Sequence, residues 1–295
     1  MTATRHAASD VNLRVRDDPA VNGPEQLAQE WPARAFFGVL LAGIAIAATI
    51  AGGVYFAALL ALIALAASRE WHRMAGATHY ALETVLTACS IAASLAVGTV
   101  APHVLWSAAA LAAGAVLAGV AGRQRGAPFW WSAGGAVYIG VPALSLLALR
   151  MQTPHGLLVV LGVFITVWAA DTGAFVWGRL LGGPKLVPTL SPNKTWSGAV
   201  GGVILPAALL SICVAYLGGN AWSAALLAAV LAMTGHTGDL FESWLKRRAG
   251  RKNSGGLIPG HGGVLDRIDS ILFVAPLAAA LVFVIGLDPL FGAHP

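Results

Sequence analysis

Charge is what this sequence has least of. Asp, Glu, Lys and Arg make up 11% of its 295 residues, against 57% in the apolar set AVILMFWYC, and the mean hydropathy is +0.74. A soluble domain carries about 25% charged residues. The deficit excludes a disordered chain and argues against an ordinary water-soluble enzyme. Cysteine is scarce too: Cys89 and Cys213 cannot build a disulfide framework, and both sit inside apolar runs where they pack as small hydrophobes. The chain does not open on the basic, apolar, small-residue order of a cleaved signal peptide. Residues 1–33 are therefore expected to be a soluble cytoplasmic tail of the mature protein; nine charged side chains fall in the first 34 residues.

Long apolar runs fill the rest. A helix crosses the hydrocarbon of a bilayer with roughly 20 apolar residues, about 17–25 being tolerated. Nine segments qualify: 34–50, 52–68, 82–99, 104–121, 131–149, 156–178, 197–217, 222–240 and 264–286. The expected fold is an all-α, polytopic integral membrane protein of about nine transmembrane helices. Residues 34–150 form its N-terminal helices and 151–295 its C-terminal catalytic region.

Lys and Arg orient such a bundle toward the cytoplasm. With the N-terminus inside, sixteen of the eighteen basic residues fall in the tail or in the loops after spans two, four, six and eight. Arg150 lies outside, and Arg267 lies where the last span begins. The net charge of +5 therefore belongs to loops beside a membrane, and nucleic acid is not an expected partner.

Six acids fall within or against the spans: Glu83, Asp171, Asp239, Glu242, Asp266 and Asp269. A carboxylate in the bilayer costs a few kcal/mol at least, so each calls for a partner or a cation inside the bundle. Glu83 alone is equally well explained by a pair with Arg69 or Arg73. The other five gather at one face, the cytoplasmic ends of spans six and eight and the start of span nine. Asp239 and Glu242 are three residues apart, as are Asp266 and Asp269, which places each pair on one helix face. Pairing with Arg247 or Arg267 would neutralise them. A hard divalent cation on oxygen ligands does so more economically, and Mg²⁺ suits a phosphate-bearing substrate.

Between these pairs the run Lys246 to Lys252 holds five cationic side chains in seven residues, and Gly255 to Gly263 holds five glycines in nine. Such a loop suits polyphosphate, since glycines permit close approach and cations supply charge-assisted bonds. A basic loop that merely touches anionic headgroups would need the cations but not Pro259-Gly260-His261-Gly262-Gly263 leading straight into two carboxylates. The Walker spacing is absent. A second cluster, Asp171-Thr172-Gly173-Ala174 with Ser191-Pro192-Asn193-Lys194-Thr195-Trp196, is expected to place Ser191, Lys194 and Thr195 at a helix N-terminus that favours an anion. No Ser-His-Asp order or cysteine nucleophile stands out, so direct transfer is expected.

Ser243-Trp244-Leu245-Lys246-Arg247, Lys252 and Ile258-Pro259-Gly260-His261-Gly262-Gly263-Val264-Leu265-Asp266-Arg267-Ile268-Asp269-Ser270 resemble the signature of the phosphatidate cytidylyltransferases, the CDP-diacylglycerol synthases. The Asp171 and Ser191 segments resemble that family's other recurrent stretch, and the resemblance covers roughly residues 168–273. It implies transfer of a cytidylyl group from CTP to phosphatidic acid at the cytoplasmic face of the inner cell membrane. It implies Asp239, Asp266, Lys246 and Arg267 as catalytic residues, and Asp171, Ser191, Lys194, Thr195, Arg247, Lys252 and His261 as substrate-binding residues. Asp239, Glu242, Asp266 and Asp269 are the expected ligands of Mg²⁺, alone or with a second cation. Membrane lipids are expected partners, and self-association as a homo-oligomer stays open. Asn253 and Ser197 stand where the family usually carries acids, and are read as tolerated variation. A polyprenol kinase-like phosphotransferase is the alternative enzyme. A secondary transporter fits less well, because its acids should lie near the bilayer midplane.

Overall fold

The computed structural model describes residues 24–74, 80–100, 104–251, 254–255 and 262–284. Lys252, Asn253 and His261 lie outside the described residues, as does most of the N-terminal tail. Among the described residues are nine helices: α1 (Pro24–Ala51), α2 (Gly53–Met74), α3 (Ala81–Val100), α4 (Val104–Gln124), α5 (Phe129–Gln152), α6 (Gly156–Leu181), α7 (Trp196–Tyr216), α8 (Ala221–Arg248) and α9 (Leu265–Phe283). Each corresponds to one of the nine apolar segments. Seven of them, α2 to α8, are long and apolar enough to cross a membrane. The apolar part of α1 is the shorter stretch Phe36–Ala51, and α9 carries Asp266, Arg267 and Asp269 at its start. The protein is a polytopic helical membrane protein.

Three boundaries differ from the sequence expectation. Helix α1 begins at Pro24, well inside the stretch read as a tail. Helix α2 runs through Met74 and buries Glu70, Trp71, His72 and Met74, so the first half of the 69–80 stretch read as a loop is helical. Helix α8 runs through Arg248, which puts Lys246, Arg247 and Arg248 on its last turn, where cations complement the helix dipole.

The segment between α6 and α7 is not an open loop. Lys185–Val187 (β1) pairs antiparallel with Ser191–Thr195 (β2), Lys185 opposite Thr195 and Val187 opposite Ser191. Gly182 ends α6 at φ 60°, a conformation that favours glycine. The Thr195 side chain caps α7 by accepting from Gly198 N at 3.2 Å. The Ser197 hydroxyl donates to the Gly182 carbonyl and lies 3.1 Å from Thr195 Oγ1, closing the base of the hairpin. That is the structural use of Ser197.

Consecutive helices alternate in direction, so the ends of α2, α6 and α8 and the start of α9 share one face. The opposite face is marked by Arg150 at the end of α5, whose Nε donates to Thr49 O at 2.6 Å and whose Nη2 donates to Ile50 O at 3.2 Å. Helices in lipid gain little from apolar burial and pack instead through small residues. Gly173 of α6 lies so close to the Gly201 carbonyl of α7 that a Cβ there would collide with it.

Candidate active site

Two adjoining cavities occupy the face where α2, α6, α8 and α9 meet. The first, about 530 Å³, is lined by Asp171, Asp239, Lys246, Gly262, Asp266, Arg267 and Asp269. The second, about 570 Å³, shares Asp171 and Asp239 and is completed by residues of α6, the hairpin, the start of α7 and α8, among them Arg179, Ser191, Lys194, Thr195 and His236. Three helices and the hairpin thus bring together acids separated by nearly a hundred positions in the chain.

Two lysines bind the acids to one another. Lys194, on strand β2, forms an ion pair with Asp239 of α8. Lys246 Nζ lies 2.7 Å from Asp266 Oδ1 and 3.4 Å from Glu242 Oε2, joining α8 to α9. Asp266 also accepts from Gly263 N at 2.9 Å and Ser254 N at 3.4 Å, so one carboxylate organises the turn that starts α9. Glu242 is fully buried, at 0% exposure. Its second oxygen, Oε1, has no hydrogen-bond partner, although the Asp269 carboxylate lies within reach of the same side chain. Two ionised carboxylates facing each other have no proton to share, and a buried uncompensated charge is expensive.

Of the residues singled out from sequence, Asp171, Asp239, Lys246, Asp266, Arg267 and Asp269 line the first cavity. Ser191, Lys194 and Thr195 line the second. Ser191 stands on strand β2 rather than at the helix N-terminus, and the Thr195 hydroxyl is already engaged as the α7 cap. Arg247 is exposed and lines neither cavity, because its position on α8 turns away from the face bearing Asp239, Glu242 and Lys246. Among the described residues, no three Asp, Glu, His or Cys side chains stand close enough to form a ready-made metal cluster. Asp239, Asp266 and Asp269 line the first cavity, whereas the fully buried Glu242 lines neither; Lys246 joins Glu242 to Asp266, and Lys194 pairs with Asp239. Glu83 is buried in α3, and its Oε2 has no partner among the described residues; Arg69 and Arg73 are exposed.

Three residues were missed in the sequence. Glu70 of α2 reaches across to α9. His236 of α8 lines the second cavity, and its buried Nε2, like the buried Tyr138 hydroxyl of α5, has no hydrogen-bond partner among the described residues. A histidine or tyrosine inside an apolar run gives no periodic signal. Glu70, between Arg69 and Trp71, reads as the solvated end of a span.

Residues 32–285 match the sequence model of the Cytidylyltransferase family, and the matched region takes in every helix bearing the cavity acids. The chain belongs to the cytidylyltransferase family. A phosphatidate cytidylyltransferase of Brucella suis is 48% identical over 159 residues, which are 53% of this chain and 57% of that protein. One from Staphylococcus saprophyticus is 42% identical over 147 residues, 49% of this chain and 55% of that protein. The aligned stretch thus spans little more than half the length of these relatives. Both cavities present cations as well as carboxylates: Lys194 and Arg179 in one, Lys246 and Arg267 in the other.

Proposed function

We propose that this protein transfers the cytidylyl group of CTP to phosphatidic acid, giving CDP-diacylglycerol and pyrophosphate. The observation that carries this reading is the pair of cavities joined at Asp171 and Asp239, placed at one end of a transmembrane bundle and lined by cations and carboxylates together. A two-chain lipid keeps its tails in the bilayer and its phosphate at this level. A water-soluble triphosphate reaches the same level from the aqueous side. The names of the Brucella and Staphylococcus relatives support the same substrates.

A phosphate oxygen of phosphatidic acid attacks the α-phosphorus of CTP. The bond from that phosphorus to the oxygen bridging toward the β-phosphate breaks, and pyrophosphate leaves with the electron pair. Such a transfer depends on positioning and on neutralising charge more than on covalent help from the protein. Lys194 and Arg267 bind phosphate oxygens and hold the reacting groups in line. Lys246, held by Asp266, keeps its charge beside the reacting phosphates.

The donor set fits a hard cation: all its atoms are carboxylate oxygens, and buried Glu242 Oε1 accepts no hydrogen bond among the described residues while the Asp269 carboxylate lies within its reach. Asp239, Glu242, Asp266 and Asp269 would hold Mg²⁺. When bound, that ion offsets phosphate charge and polarises the phosphorus–oxygen bonds. Lys246 stands between Glu242 and Asp266, and Lys194 stands against Asp239; both supply countercharge there.

Product analysis tests the reading. Purified protein, CTP labelled in the base, phosphatidic acid and Mg²⁺ should give labelled CDP-diacylglycerol and free pyrophosphate in equal amounts. Release of free CDP with a phosphorylated lipid would instead identify a lipid kinase.

We place the N-terminus in the cytoplasm, in the inner cell membrane, because sixteen of the eighteen basic residues fall in the N-terminal stretch through Arg34, at the C-terminal ends of α2, α4, α6 and α8, or in the loops that follow them. Nine spans then put the C-terminus outside. Reporter fusions at the two ends should differ in sidedness; finding both on one side would show that α1 or α9 does not cross.

A further inference from the structure

Glu70 belongs to the N-terminal helices, yet all its bonds go to the signature segment nearly two hundred residues on. Its Oε1 accepts from Val264 N at 2.9 Å, and its Oε2 accepts from Leu265 N at 2.9 Å and from Ser254 Oγ at 3.1 Å. The side chain is buried, at 5% exposure. An acid so placed inside a membrane bundle needs partners, and here three donors supply them, Ser254 on one flank of the segment and Val264 and Leu265 on the other. Two of the three are backbone N–H groups at the start of α9, where a negative charge also meets the favourable end of the helix dipole.

The surrounding backbone is fitted to this carboxylate. A Cβ on Gly255 would overlap Glu70 Oε1, and one on Gly263 would come within 2.6 Å of Oε2. Glycine at 255 is thus explained by close approach to Glu70, and glycine at 263 by close approach to Glu70 and to the Ser254 hydroxyl, which a Cβ there would overlap. Phosphate is not needed to account for either. Ser254 completes the link, since its hydroxyl goes to Glu70 while its backbone N–H goes to Asp266.

The next residue of α2 fixes Glu70 in turn. Trp71 Nε1 donates to Trp131 O at 2.9 Å, and its ring stacks on Trp131 at 4.9 Å between centroids. Gly135 of α5 leaves room for the Trp71 ring; a Cβ there would lie 2.6 Å from Trp71 Cδ1. The end of α2 therefore has one seat against α5. From it, Glu70 holds both flanks of the segment between Ser254 and Leu265.

We infer that Glu70 is a positioning residue that clamps the signature segment and thereby sets Asp266 and Lys246 for transfer. The second half of this statement rests on the proposed function; the clamp itself does not. Glu70→Gln preserves size but removes the charge and turns an NH₂ donor toward backbone N–H donors. Three measurements on the full chain in detergent or nanodiscs test it: thermal unfolding, tryptic cleavage after Arg251 or Lys252, and steady-state kinetics with CTP and phosphatidic acid.

Glu70→Gln should stay folded yet be cleaved in this segment about tenfold faster than the unsubstituted protein, because opening exposes the site. Its kcat should fall about tenfold or more while KM for CTP stays within about threefold, the pattern of an interaction needed in the transition state. Ser254→Ala removes one donor and leaves the carboxylate; it should move cleavage and kcat the same way by a smaller factor. Unchanged cleavage and turnover in a folded Glu70→Gln overturns the inference. If Glu70→Gln unfolds, Ser254→Ala decides, and unchanged cleavage there overturns it as well. Failure of the unsubstituted protein to use CTP would overturn the proposed function, while the cleavage comparison would still decide the clamp.

Discussion

Asp266→Asn should leave a folded, membrane-inserted protein whose turnover falls to background, on the order of a thousandfold, as expected when one preorganised charge is removed from a site that stabilises phosphoryl transfer. The carboxylate holds Lys246 at 2.7 Å and accepts from Gly263 N at 2.9 Å. Asparagine can keep one acceptor oxygen, so the turn into α9 should survive. It cannot keep the charge, and its amide turned toward Lys246 would set donor against donor. It would also withdraw one oxygen ligand from the proposed Mg²⁺ site. Initial rates at saturating CTP and at low and high Mg²⁺, beside a thermal unfolding curve, check this. Near-normal turnover at high Mg²⁺ would remove Asp266 from the chemistry.

Much of this site can be read from the sequence, for a physical reason. A charged residue inside an apolar run is costly enough to be conspicuous. Asp171, Asp239, Glu242, Asp266 and Asp269 all stand out in this way, and four of these five line the first cavity. The order of spans and the side on which the acids collect follow equally from hydropathy and from the distribution of Lys and Arg.

Other features depend on tertiary contacts. The β1–β2 hairpin contains Pro192 and Asn193, both poor strand formers, and is held by backbone pairing across a short turn together with the Ser197 bond to Gly182. Thr195 looked like an anion ligand because Ser, Thr and Lys cluster there. A threonine just before a helix serves equally well as its cap, and that is its bond here. Glu70 lay hidden because Arg69 and Arg73 beside it make the end of α2 look solvated. Its burial comes from Trp71 stacking on Trp131, sixty positions away in sequence, which no local pattern announces. The spacing of the carboxylates was legible, but their lysine partners were not: Lys246 joins Glu242 to Asp266 across two helices, and Lys194 reaches Asp239 from the hairpin.

Those lysines give the other large effect. Lys246 Nζ sits between Glu242, at 3.4 Å and wholly buried, and Asp266 at 2.7 Å. Replacing it by methionine keeps the apolar stem and removes the charge, so Glu242 loses its ion-pair partner. Breaking a buried pair by removing one member costs about 3–5 kcal/mol, because the remaining charge is left without compensation. Lys246→Met should therefore be markedly less stable and inactive. Pairing it with Glu242→Gln removes the orphaned charge, so the double variant should recover most of the lost stability. Turnover should not return, because Lys246 is also proposed to face the reacting phosphates from its seat on Asp266. A double-mutant cycle on thermal stability in detergent, run beside turnover for the same four proteins, separates the two roles. Recovery of turnover with stability would reduce Lys246 to a structural countercharge for Glu242. Strictly additive stability losses would mean that the two side chains do not form a working pair.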